Sequence, residues 1–295
     1  MYRVLRYGLL LVVLLVTAVG ASASYTLALA TWNVNSMTTS TLRVAEALTL
    51  INHIDLWGLC EVRDSEVAAA LEEAVDSHPD REFQAILGQS GGQRRLLVLY
   101  DASVLEELSH YELAWSNRPW YGPHAEQREP LVVQFRHIGS GAEFLFVVNQ
   151  LYTGYREEVS ARGLDVDQGV NEDQATVLSE WSIRQSLPII AVGDFGFDWD
   201  LEPVPFAYGT AGYVTYSPGY EALTASGAFS WVVPWNLQGT VCPSDLVQDF
   251  VFVAHSAGKL NARAQILTYA GCGELSGMPD HMPVEAFVQF LDQTP

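Results

Sequence analysis

Basic side chains are scarce in this chain. Its 15 Lys and Arg stand against 35 Asp and Glu, for a formal net charge of −20 at pH 7. Affinity for a polyanion comes mainly from Lys and Arg on phosphates, so the composition excludes tight, non-specific wrapping of DNA or RNA. It leaves room for a small phosphate ester, or for a nucleic acid held locally through a divalent cation. Cysteine is equally sparse, at three residues, and no Cys-x-x-Cys pair offers a zinc site. Gly 23 and Pro 13 are too few for a linker-like or collagen-like chain. No internal repeat, low-complexity tract or charge run divides the sequence. No serine-nucleophile elbow is read in it, so Ser/His/Asp catalysis is not expected.

An apolar run opens the chain. Arg3 and Arg6 precede about 13 apolar residues (8–20), and Ala21-Ser22-Ala23 fits the small-x-small rule for signal cleavage. The run is short of the roughly 20 residues that span a bilayer. The expectation is a signal peptide over residues 1–23 and one domain over 24–295, secreted or periplasmic. An uncleaved membrane anchor is the competing expectation. In an exported protein two of three cysteines can pair. Cys242 and Cys272 lie in loops flanked by Pro or Gly, whereas Cys60 sits in an apolar run. A Cys242–Cys272 disulfide and a buried Cys60 thiol are therefore expected.

What is present in abundance is strand signal. Candidate strands are 26–33, 55–61, 82–88, 94–100, 131–137, 143–151, 187–192, 247–254 and 284–290. Several are continuous Leu/Val/Ile/Phe runs, the pattern of strands covered on both faces. Helical spacing marks 38–53 (Leu42, Ala45, Leu48, Ile51), 65–77 with Ser65 as N-cap, and 171–185 with Glu172, Glu180 and Arg184 outward. Strands and helices alternating early, then strand-rich stretches, predict a layered α/β sandwich built on two sheets.

The polar ends of these strands carry the chemistry. Asn33 and Asn35 fall on one face of the strand end Thr31-Trp32-Asn33-Val34-Asn35 by period-two alternation. Glu61 ends the run that starts at Leu56. Asp194 follows 187–193, Asp249 lies inside 246–253, and Asp280-His281 opens the last strand. One acidic residue at a strand end is more often a turn cap than a ligand. Asp249 is different, since a charge inside an apolar run has to be paired.

Taken in order, these segments resemble the endonuclease/exonuclease/phosphatase superfamily of metal-dependent phosphoesterases, of the deoxyribonuclease I-like kind. Thr31-Trp32-Asn33-Val34-Asn35 is similar to that family's opening motif and Leu59-Cys60-Glu61 to its metal-carboxylate strand. Leu96-Leu97-Val98-Leu99-Tyr100-Asp101 is similar to a scaffold strand, and Val147-Val148-Asn149-Gln150-Leu151 to the strand that usually ends Asn-His-Leu. Gly193-Asp194-Phe195-Gly196 is similar to Gly-Asp-Phe-Asn. The segments Asp249-Phe250-Val251-Phe252-Val253 and Asp280-His281-Met282-Pro283-Val284 match the C-terminal motifs. The resemblance covers nearly all of the chain after the expected signal.

It implies a four-layer α/β sandwich, two packed mixed β-sheets flanked by helices. It implies Mg²⁺, or Mn²⁺ or Ca²⁺, held by Glu61 with Asn33 and Asp280 nearby. His281 would face the scissile phosphate with Asp249 behind it, and Asp194 would position and deprotonate the attacking water. Asn35, Asn149 and Gln150 would contact phosphate. Arg128 is a candidate phosphate clamp, weighed equally against a surface ion pair.

Two positions depart from the pattern. Gln150 stands where many members have His and cannot transfer a proton at neutral pH. Gly196 stands where members have Asn. The expected activity is hydrolysis of a phosphate ester in a nucleic acid, a nucleotide or a lipid head group, by a monomer that forms no stable nucleic-acid complex. The alternatives are a catalytically impaired family member acting as a binding protein, and a membrane-anchored lipid phosphodiesterase. Asp198 and Asp200 read as turn residues after the strand, and His110 and His124 as surface or loop residues. The aromatics of 115–121 and 229–235 read as core or loop anchors.

Overall fold

The computed structural model describes residues 25–77, 79–114, 128–152, 166–200, 217–242, 244, 246–256, 259–270, 272 and 277–291. The expected signal segment, the aromatic stretch 115–121 and His124 lie outside these residues. Among the described residues twelve strands form two six-stranded sheets. The first sheet contains β1 (Thr26–Asn33), β2 (Leu56–Val62), β3 (Phe83–Leu87), β4 (Arg95–Asp101), β11 (Leu260–Ile266) and β12 (Val284–Phe290), in the order β11-β12-β1-β2-β4-β3. The second contains β5 (Leu105–Glu112), β6 (Leu131–His137), β7 (Glu143–Gln150), β8 (Ile189–Asp200), β9 (Ser230–Trp231) and β10 (Leu246–Ala254), in the order β5-β6-β7-β8-β10-β9.

Each sheet has one parallel pair at its centre, β1–β2 and β7–β8, and its other pairings are antiparallel. A parallel pair needs a crossover. Helix α1 (Thr41–Leu50) supplies the first and α3 (Val166–Ser182) lies in the second. Helices α2 (Ser65–Val75) and α4 (Pro218–Thr224) complete the outer layers among the described residues.

Side-chain alternation builds three cores from these strands. On β1, Leu27 and Leu29 point into the core between the sheets, and Ala28, Ala30 and Trp32 point outward under α1 and α2. On β8, Ile190 and Val192 point inward, while Ile189 and Ala191 pack under α3. The result is the expected four-layer sandwich. The sheets approach closely at Gly58, where an added Cβ would lie 2.6 Å from Val192 Cγ2 and 2.9 Å from Val148 Cγ2.

Several local expectations are corrected. Asp64, not Ser65, caps α2, its side chain accepting from the amides of Glu66 and Val67. Helix α1 is shorter than 38–53, because the amides of Thr38 and Thr39 turn back onto the Asn35 carbonyl. Its buried face is Val44, Ala47 and Leu48, and Leu42 is exposed. Helix α3 begins at Val166, although Glu172, Glu180 and Arg184 do face outward. Strand β8 runs on through Asp200, so residues 198 and 200 are not in a turn after it. Strands β5, β9 and β11 and helix α4 were not anticipated.

Candidate active site

Open α/β sheets place ligands outside the carboxyl ends of their parallel strands. Here both parallel pairs end on the same side of the sandwich. Asn33 closes β1 and Asn149-Gln150 closes β7, while Glu61 lies near the end of β2 and Asp194 on β8. The backbone is bent to present them. Glu61 has φ +61, and the β2–β4 register shifts between Leu59 and Val62, which turns the carboxylate out of the pleat. Gly193 has φ +134, and a Cβ there would sit within 1.9 Å of the Asn149 carbonyl oxygen, so only glycine lets β8 approach β7 before Asp194.

One amide group links the two carboxylates. Asn33 Nδ2 donates to Glu61 Oε1 at 3.3 Å and to Asp194 Oδ2 at 3.1 Å. Gln150 Nε2 repeats the bridge, at 2.6 Å to Glu61 and 3.4 Å to Asp194. The other oxygen of Asp194 accepts from the Gly196 amide at 3.0 Å. Burial pushes the Asp194 pKa up to about 6, with Asp249 and Glu61 adding to the rise and His281 and the Asn33 hydrogen bond opposing it.

His281 is paired with Asp249. Its Nδ1 is 2.7 Å from Asp249 Oδ2, and both residues are buried. Burial works against a charged imidazole, but the Asp249 carboxylate, then Asp194 and Asp280, outweigh it and push the His281 pKa up to about 10. Trp32 Nε1 donates to the His281 carbonyl at 2.8 Å, and Thr240 Oγ1 accepts from the Asp249 amide at 3.2 Å. The disulfide Cys242–Cys272, with Cα atoms 6.2 Å apart, closes the loop beside them. The Cys242 amide donates to the Asp280 carbonyl at 2.7 Å.

Asp280 is held by Asn35 Nδ2 at 3.3 Å, and the Asn35 amide by Asn33 Oδ1 at 3.1 Å. Asn149 is fully buried, with Nδ2 folded back to the Val147 carbonyl at 3.3 Å. Arg128 is not a surface ion pair. Its side chain is 11% exposed and its Nη2 lies 3.5 Å from Glu61 Oε1. The structure thus brings the ten candidates from distant parts of the sequence to one end of the sandwich.

Sequence reasoning missed three contributors. Arg94 Nε stands 3.7 Å from Glu61 Oε2. Asn171, on α3, donates to the Tyr152 and Phe195 carbonyls at 2.9 and 3.0 Å and so ties the chain after β7 to the residue that follows Asp194. Thr240 orients Asp249. None carries a motif, because each acts through a fold-dependent contact. Cys60 is a buried free thiol that donates to the Asn149 carbonyl, and burial pushes its pKa well up. Phe229 is buried in the core under α3, while Trp235 is 75% exposed. His110 is a surface residue paired with Glu107. Residues 88–92 do spell Gly-x-Ser-x-Gly, but they join strand to strand, and Ser90 Oγ donates to Glu112, so no nucleophile elbow forms.

The donor chemistry fits a hard divalent cation. Mg²⁺ takes oxygen ligands from one or two carboxylates and keeps several waters. Glu61 and Asp194 supply carboxylates, and the buried Asn149 Oδ1 and Gln150 Oε1 have no hydrogen-bond partner in the structure. Among the described residues no three His, Cys, Asp or Glu side chains form a ready cage. Amide oxygens and water would have to complete a shell around Glu61.

No protein-family model matches the sequence, and no curated protein matches it. Solved structures do match the fold. An endonuclease/exonuclease/phosphatase family protein from Bacteroides thetaiotaomicron has a TM-score of 0.64 at 15% identity, over 92% of this chain and 96% of that one. A humanized Danio rerio TDP2 gives 0.62 at 13% identity, over 89% and 98% of the two chains. A Bacteroides thetaiotaomicron mannosyl-6-phosphatase gives 0.60 at 16% identity, over 89% and 99%. The chain therefore has the endonuclease/exonuclease/phosphatase, or deoxyribonuclease I-like, fold. The resemblance read from its motifs holds at the level of architecture.

Proposed function

We propose that the chain is an exported phosphoesterase that uses a divalent cation, Mg²⁺ by its donor chemistry, and hydrolyses a phosphate ester by in-line attack of water. The carrying observation is the pair of carboxylates, Glu61 and Asp194, bridged by the Asn33 and Gln150 amides, together with a buried His281–Asp249 pair. When bound, the cation would neutralise phosphoryl charge. Glu61 would hold it, with Asn33 beside it and Asp280 at the margin. Everything else falls to the chain's own groups.

Asp194, ionised above about pH 6 and fixed through Gly196, orients a water and takes its proton. His281, kept protonated by Asp249, faces the negative phosphoryl oxygen. Asn35 adds a neutral donor, whereas Asn149, its Nδ2 taken by the Val147 carbonyl, offers its buried Oδ1. Gln150 can orient a phosphoryl oxygen but cannot protonate a leaving group. The reading therefore favours esters whose leaving group departs unprotonated. The structures that share this fold include a TDP2 and a mannosyl-6-phosphatase, which supports phosphate esters as a class and leaves the alcohol open. Export rests on the 1–23 segment. Among the described residues no helix is long and apolar enough to cross a membrane.

The test is turnover of a bis-aryl phosphate, plasmid DNA and phospholipid vesicles by the purified chain, with Mg²⁺ or with chelator. Chelator-sensitive hydrolysis that Asp194→Asn abolishes supports the proposal. No such turnover on any of the three supports the binding-protein alternative. Gln150→His with Gly196→Asn, the latter at a φ of +58 that Asn tolerates, should raise hydrolysis of alkyl esters about 10²-fold if the missing proton donor is limiting.

A further inference from the structure

The Glu61 carboxylate is crowded with donors. Gln150, Asn33 and Arg128 approach Oε1 at 2.6, 3.3 and 3.5 Å, and Arg94 approaches Oε2 at 3.7 Å. A chain with only 15 basic residues places two of them at this one carboxylate. Arg128 is seated there by built features. Its Nε donates to the Arg94 carbonyl at 3.0 Å, which ties the two arginines together. Gly91, at φ +88, leaves space for its stem, since a Cβ there would lie 2.6 Å from Arg128 Cγ. The next amide, Glu129, donates to Ser90 Oγ at 2.8 Å. Arg94 is 46% exposed and closes the outer side.

A divalent cation and two guanidiniums cannot all sit on one carboxylate without repelling each other. A phosphate group is a better partner for guanidinium than a single carboxylate, because it offers more oxygens and more charge. We propose that Arg94 and Arg128 form a latch on Glu61 that holds the cation position closed until a phosphate draws the guanidiniums away. Cation and phosphate then bind with positive coupling, each favouring the other. The inference rests on the proposed reading of Glu61 as the cation's carboxylate and extends it to the order in which the site fills. Neither arginine replaces the cation. Together they set when Glu61 is available.

Mn²⁺ binding by the full chain, followed by loss of the free-ion electron paramagnetic resonance signal, tests this without turnover. Wild type should bind Mn²⁺ about 10-fold more tightly with saturating inorganic phosphate than without it, within the usual range of coupling between sites. Arg94→Met should tighten phosphate-free Mn²⁺ binding about 5-fold, as expected for removing one partly exposed repulsive charge, and should shrink the gain from phosphate. Arg128→Met should do the same, its melting curve showing whether this buried position still folds. Arg94 is exposed enough to carry the test alone. If Mn²⁺ binding depends on Glu61, by comparison with Glu61→Gln, yet ignores both phosphate and Arg94→Met, the latch is wrong and the cation site stands. If wild type and Glu61→Gln bind Mn²⁺ alike, the cation reading of Glu61 fails, and the latch with it.

Discussion

Asp249→Asn removes one charge from a pair that the fold has buried. The wild-type imidazole has its Nδ1 2.7 Å from Asp249 Oδ2 and a pKa pushed up to about 10, against 6.5 for an ordinary histidine. Without the carboxylate, burial acts on His281 with only Asp194 and Asp280 to oppose it. Its pKa should fall by about 2–3 units, and each unit is about 1.4 kcal/mol of differential interaction. The loss is therefore about 3–4 kcal/mol, within the range for breaking a buried pair by removing one partner. In a domain of this size that lowers the melting temperature by about 6–15 °C. The pH dependence follows from linkage. A folded-state pKa raised above the unfolded value gives stability that is complete below about pH 6.5 and is lost as pH rises through about 10. The gap between wild type and variant should be widest at and below about pH 6.5 and narrow by pH 9.5. Thermal melts at four pH values and a ring-proton titration of His281 measure both effects. A variant that melts within 1 °C of wild type at pH 6.5, or a gap that stays constant with pH, would refute the argument.

The remaining predictions concern the strand ends. Asp194→Asn should abolish turnover yet stabilise the chain by about 1–3 kcal/mol at pH 8, because an acid whose folded pKa is raised from 3.8 to about 6 costs the fold stability as pH rises between those two values; urea melts should show the gain growing from about pH 4 and levelling off above about pH 6. In the wild type, turnover should rise with pH through about 6 as Asp194 ionises and fall through about 10 as His281 loses its proton, a bell that a pH–rate profile would show or fail to show. Gly193→Ala should cost at least about 3 kcal/mol, since its Cβ would meet the Asn149 carbonyl at 1.9 Å; a loss under 1 kcal/mol by urea melt would mean that β7 and β8 can part there. Replacing both Cys242 and Cys272 by Ser opens a loop of sequence separation 30 and should cost about 3–4 kcal/mol, with reduction of the wild type lowering its melting temperature to match.

Strands buried on both faces were readable because burial leaves a chemical record. The bounds of β1, β6 and β12 match the apolar runs 26–33, 131–137 and 284–290. The three missed strands, β5, β9 and β11, are all at sheet edges. There one face or one edge meets water, and Leu105–Glu112 is a mostly polar string with only Leu105 buried. Helix ends were misplaced for a related reason. Spacing locates a buried stripe, but a side chain reaching back to a free amide, as Asp64 does, sets the boundary. The site was legible wherever a polar residue ended an apolar run. Arg94 and Thr240 were not, since nothing in a sequence says which carboxylate an arginine will meet.

The arrangement also explains why so much apolar structure surrounds so few functional groups. Glu61 is held at φ +61, Asn35 at φ +39 and Gly193 at φ +134, and Asp194 is kept ionisable in a buried place. The Glu61 and Asn35 backbones and the desolvated Asp194 charge each oppose folding by about 1–3 kcal/mol, while the Gly193 conformation is open only to glycine. None has a local remedy, because the neighbouring strand residues point into cores on both faces. The compensation comes from the three apolar layers, which fix β1, β2, β7 and β8 from within and without. A thinner architecture, with one sheet and one covered face, would leave these strand ends free to relax. Glu61 and Asp194 would then separate, and the Asn33 bridge between them would break.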